Sequence, residues 1–162
     1  MGICLEVSLM SSHLALPRAG HLDKFFHIFE YLKWKHRARM VFDPTYPSID
    51  SDDFPRHDWE KRYGEVKEVI PTNAQSPQGK CFDMIGYVDV DLSVDKVIRC
   101  SRTGYVIYLN QAPIYWFSKR QNGVECSTFG SEFVAMKQYC EYLKGLLYKL
   151  RMMGIPVIGY SF

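Results

Sequence analysis

The strongest constraint on the fold of this chain is a change of hydrophobic period partway along it. From Met84 to Asp91 (MIGYVDVD) apolar and polar residues alternate, as in a half-buried strand. Thr103 to Leu109 (TGYVIYL) is β-branched and aromatic, and Ile114 to Ser118 (IYWFS) repeats that character after the short turn Asn110-Gln111-Ala112-Pro113. Three strands with tight connections predict an antiparallel meander. From Gly130 the period becomes helical. Phe133, Met136, Cys140, Leu143, Leu147 and Leu150 fall on one stripe running to about Met153, where Gly154 and Pro156 stop it. Ile155 to Phe162 then reads as a fourth strand, parallel to the first. The predicted class is α/β (α+β).

Upstream, residues from about Gly20 to Lys35 carry a second helical pattern, with Leu22, Phe25, Phe26, Phe29 and Leu32 on one face. Pro17 precedes it, and Lys33, Lys35, Arg37 and Arg39 lie at its far end, where cations suit the helix dipole. Residues 43 to 80 change character: five of the eight prolines fall there, among Asp and Ser residues. This stretch predicts a linker or a long insertion with at most a short helix near Trp59 to Glu68. The expected organisation is a helical segment over 1–42, a linker over 43–80 and an α/β unit over 81–162.

Of the 162 residues 47% are hydrophobic, enough for a buried core. The net charge of +2 names no partner, but its distribution is uneven. From Lys96 to Val124 there are five basic residues and no acidic one, whereas from Asp43 to Glu68 eight acids face four bases. Such asymmetry fits a polyanion along part of the surface as well as it fits solvated basic faces. The five cysteines form no CxxC pair and no zinc-ligand spacing with histidine, so an intracellular, reducing setting (cytoplasmic or nuclear) is expected. No apolar run approaches the ~20 residues that span a bilayer, so no membrane partner is expected.

Two acidic features can carry chemistry. Asp89 and Asp91, two apart on one strand, point to the same face. Glu132 lies near the start of an otherwise apolar helix. Carboxylate clusters favour hard cations such as Mg²⁺, so a strand Asp and a helix Glu meeting over a sheet could hold one. The plainer reading has the Asp residues ending the strand in solvent and Glu132 favouring a helix N-terminus. All five histidines precede residue 58, which leaves the Cys and Ser residues near Cys126 without a local base.

Four ordered segments resemble copia-type long-terminal-repeat retrotransposons. Tyr87-Val88-Asp89-Val90-Asp91-Leu92-Ser93-Val94-Asp95 is similar to the "YxDADWAGD" segment that opens their ribonuclease H domain. Arg99-Cys100-Ser101-Arg102-Thr103-Gly104-Tyr105 resembles "RRSxSGY". Ala112 to Gln121 (APIYWFSKRQ) resembles "xPISWxSKKQ", and Val124 to Ala135 (VECSTFGSEFVA) resembles "VALSSTEAEYxA". Farther upstream, Pro17 to His21 followed by Tyr31-Leu32-Lys33 resembles the "PxxxHW…RYLK" helix near the end of the reverse transcriptase.

The resemblance implies a segment of a Pol polyprotein with a ribonuclease H-like fold, acting on RNA–DNA hybrids with Mg²⁺. Asp89 and Glu132 would then be the catalytic, metal-holding acids, converging across sheet and helix. Arg99, Arg102, Lys119 and Arg120 would lie on or near phosphates. The family's third acid, in a "GDN"-like segment, would fall beyond Phe162. Hydrolysis by this chain alone is therefore expected to be weak or absent. The alternative is a non-catalytic module that binds nucleic acid through its basic surface.

Overall fold

A computed structural model describes residues 3–48, 58, 60–65, 70–92 and 99–161. The helices are α1 (Cys4–Ser11), α2 (Ala19–Trp34), α3 (Glu60–Tyr63) and α4 (Thr128–Met152). The strands are β1 (Phe82–Asp91), β2 (Arg102–Leu109), β3 (Ala112–Arg120) and β4 (Val157–Ser161). The sheet order is β3-β2-β1-β4. The three sequential strands pair antiparallel, and β4 joins β1 in parallel after α4 has crossed the sheet. A parallel return of this kind needs a long connection, and α4 supplies it. The mixed α/β class and the three-stranded meander read from the sequence are both present. Asp95, Lys96, Trp59 and Phe162, which also entered those readings, lie outside the described residues.

The core lies between one face of the sheet and α4. Met84, Tyr105 and Ile107 from the strands meet Tyr139, Leu143, Leu147 and Leu150 from the helix. The buried row of α4 is Ser131, Ala135, Tyr139, Leu143, Leu147 and Leu150. This corrects the predicted stripe in the first half of the helix. Phe133 is 65% exposed and Met136 is also exposed, because neither falls on the row of α4 that runs from Ser131 through Ala135 and Tyr139 and faces the sheet. Ser131 and Ala135 face inward, and a β-carbon added to Gly86 would lie only 1.8 Å from the Tyr139 hydroxyl. Helix α4 starts at Thr128, where the Ser127 Oγ accepts from the Gly130 N–H at 3.0 Å.

Two upstream features add to the sequence reading. The aromatic face of α2 is not packed: Leu22, Phe25, Phe26, Phe29 and Leu32 are all exposed, and Ile28 is the only buried residue of that helix. The described parts of residues 43–80 are docked rather than free. The Asn110 Nδ2 donates to the Pro44 carbonyl, Gln111 Nε2 to Thr45 Oγ1, the Tyr46 hydroxyl to the Cys81 carbonyl, and the Gln78 N–H to the Gly154 carbonyl. These bonds hold the segment against the β2–β3 turn and the end of α4.

Candidate nucleic-acid interface

The two faces of the sheet carry different chemistry. Along β1, Met84, Gly86 and Val88 turn toward α4. Strand alternation therefore turns Asp89 and Asp91 to the other face. There they line a cavity of about 300 Å³ with Arg102, Gly104, Val106, Trp116 and Ser118, and its opposite wall includes Cys4 and Leu5 of α1. Both aspartates are exposed, and Asp89 Oδ1 accepts from the Val90 N–H at 2.8 Å.

Glu132 sits at the same end of the sheet but on the other side of it. The Gln121 Nε2 donates to Thr103 Oγ1 at 3.0 Å and to the Ser131 carbonyl at 2.9 Å, which ties the start of α4 to β2. Thr103 is paired with Val90, next to Asp89. Yet Glu132 rides on α4, exposed, one position past buried Ser131. Because α4 starts earlier than predicted, Glu132 falls in the second turn, and no acidic residue occupies the first. The plainer reading of Glu132 as a helix-start residue does not hold either, since the dipole effect fades beyond the first turn.

The implied Mg²⁺ can be tested against this donor set. Hard cations need several oxygen ligands at about 2.1 Å. Among the described residues no three His, Cys, Asp or Glu side chains gather into a group able to hold a metal ion. Asp89 faces away from α4, whereas Glu132 rides on α4 and is exposed.

The four predicted phosphate contacts divide as well. Arg99, Lys119 and Arg120 are exposed. Arg99 has a left-handed φ of 56°, which bends the chain into β2. Lys119 and Arg120 end the edge strand β3 and line an open groove of about 410 Å³ with Asn122, Gln138, Glu141 and Tyr142, above Tyr105 and Phe117. Arg102 is different. It is only 4% exposed, and its guanidinium donates to Ser8 Oγ and, at 3.3 Å, to Ser12 Oγ. The structure corrects that expectation: Arg102 joins α1 to the sheet, because a cation under α1 keeps its charge only by finding acceptors there. The sequence reading missed α1 and its serines entirely. No pattern in CLEVSLMS marks one face as apolar, so the only signal was the run of three hydroxyls at Ser8, Ser11 and Ser12.

Helix, meander and parallel return define a mixed α/β protein compatible with a ribonuclease H-like fold. The chain is 31% identical over 78 residues to the retrovirus-related Pol polyprotein from transposon RE1 of Arabidopsis thaliana, a match covering 48% of this chain and 5% of that protein. It is 31% identical over 102 residues to the corresponding polyprotein from transposon RE2, covering 59% of this chain and 7% of the relative. The chain thus corresponds to less than a tenth of either relative, and the similarity is that of a Pol polyprotein segment. No protein-family model matches. No solved structure matches.

Proposed function

We propose that the chain is a segment of a copia-type retrotransposon Pol polyprotein, joining the end of the reverse transcriptase to the opening part of the ribonuclease H domain. In this reading it binds RNA–DNA hybrids without cutting them efficiently. The observation that carries the proposal is the coincidence of order. Three antiparallel strands, a long helix and a parallel strand occur in the order of the family-like segments, in a chain of which 78 and 102 residues match two Pol polyproteins. Binding would come from Arg99, Lys119 and Arg120, exposed cations close to the end of the sheet that carries Asp89. Weak hydrolysis would follow from a donor set of two acids, Asp89 and Glu132, with no third gathered beside them among the described residues.

The test is a labelled RNA–DNA hybrid titrated with the chain in MgCl₂, at several salt concentrations. Salt-sensitive retention with no cleavage is expected. Replacing Lys119 and Arg120 together by Glu should weaken binding about tenfold at low salt and flatten the log–log salt slope by about two. Cleavage that disappears in Asp89→Asn would overturn the non-hydrolytic reading. Absence of hybrid binding even at low salt would overturn the nucleic-acid reading.

A further inference from the structure

Helix α4 packs chiefly over β1 and β2, while β3 forms an edge of the sheet. The strip above β3 on the α4 side is left as the open groove of about 410 Å³ that ends at Lys119 and Arg120. Three chemistries meet in it. Phe117 and Tyr142 are half-buried and line the groove with ring surface. Each ring is already held by a neighbour, Phe117 stacked on Tyr105 at 4.7 Å and Tyr142 on Tyr115 at 4.1 Å. Asn122 and Gln138 bring side-chain amides, and Lys119 and Arg120 bring exposed cations. The acid of the lining, Glu141, lies 3.9 Å from Lys137 one turn back on α4, which partly balances its charge.

We propose that this groove holds one unpaired nucleotide, its base against Phe117 and Tyr142 and its phosphate on Lys119 and Arg120. The inference rests on the nucleic-acid reading above and extends it from the phosphates of a hybrid to the single strand beyond the hybrid's end. Aromatic rings stack any base, side-chain amides offer a donor and an acceptor to a base edge, and cations take the phosphate. Phosphate alone would leave the rings and amides unused, and an apolar ligand would gain nothing from the cations. The volume falls within the roughly 300–1,000 Å³ of sites that take small organic ligands. Rings pinned by their stacking partners lose little freedom when a base arrives. A base inside a duplex is shut in its own stack, so only an unpaired one can reach them.

Two measurements on the full chain test this. In titrations of RNA–DNA hybrids, one with a short single-stranded tail should bind about fivefold more tightly than a blunt one. The double variant Asn122→Ala/Gln138→Ala should bring the two hybrids to equal affinity. By nuclear magnetic resonance, adenosine monophosphate should shift the side-chain amide signals of Asn122 and Gln138, and inorganic phosphate should not. Equal affinity of the wild type for tailed and blunt hybrids overturns the site, as does a tail preference that survives in the double variant. Identical shifts from phosphate reduce the groove to an ion contact, and equal shifts from an acidic peptide assign it to protein; either result overturns the nucleotide. If no hybrid binds but adenosine monophosphate shifts both amides, the hybrid reading fails and the groove stands.

Discussion

Gly86 shows how much a single position can hold. It sits in the middle of β1, where glycine is normally a weakness because it packs nothing and costs backbone entropy. Here the absent side chain is the point. Tyr139 of α4 fills the space, with its hydroxyl 1.8 Å and its ring carbons 2.3 and 2.5 Å from where a β-carbon would stand. Gly86→Ala must push the helix off the sheet, and a loss of about 2–3 kcal/mol is expected in urea unfolding. The sequence displayed the glycine inside a strand pattern but not its reason, because the reason lies more than fifty residues away. Asp89 was legible in the same way. Its strand and its face relative to Asp91 followed from alternation, while the side of the sheet on which α4 would settle did not.

Among the elements, those with a strong period were read well and those held by polar contacts were missed. Strands β1 to β3, α2 and α4 all fall close to the ranges predicted from alternation or helical spacing. Helix α1 escaped, since serines bonded to Arg102 leave no hydrophobic pattern to read. The inward row of α4 was misassigned in its first half, because that row opens with Ser131 and Ala135, while the larger apolar residues Phe133 and Met136 lie off it. Gln121 joins these elements. It is 2% exposed, and its amide bridges Thr103 of β2 and the Ser131 carbonyl at the start of α4. Gln121→Ala leaves that carbonyl and hydroxyl buried without the donor, so a loss of roughly 2 kcal/mol is expected. Hydrogen exchange should show it first in the opening turns of α4, with the middle of the helix little affected.

At the scale of the whole molecule, the core is aromatic, and that gives it a definite alkaline limit. Tyr105 stacks on Phe117 with ring centroids 4.7 Å apart, and Tyr115 stacks on Tyr142 at 4.1 Å. Burial, reinforced by the neighbouring phenols Tyr115 and Tyr142, raises the Tyr105 phenol well above its ordinary value of 10.0. Burial pushes Tyr139 and Tyr142 up to about 12 each. An unfolded chain releases these protons near pH 10. A raised folded-state value therefore contributes stability that is whole below pH 10 and is lost as pH climbs toward 12. Phenolate absorbance at 295 nm should rise late and cooperatively in that window, together with loss of circular dichroism. A gradual rise centred on pH 10 with the structure intact would contradict this packing.

The sheet order has a consequence for how such a chain comes into being. Strands β1, β2 and β3 follow one another closely and pair as neighbours, but the second partner of β1 is not synthesised until the whole of α4 has been made. A ribosome therefore releases the meander first, with one flank of its founding strand bare and its greasy side waiting for a helix. Closure of that flank must wait for α4, and until then the nascent sheet is open to chaperones, proteases and copies of itself.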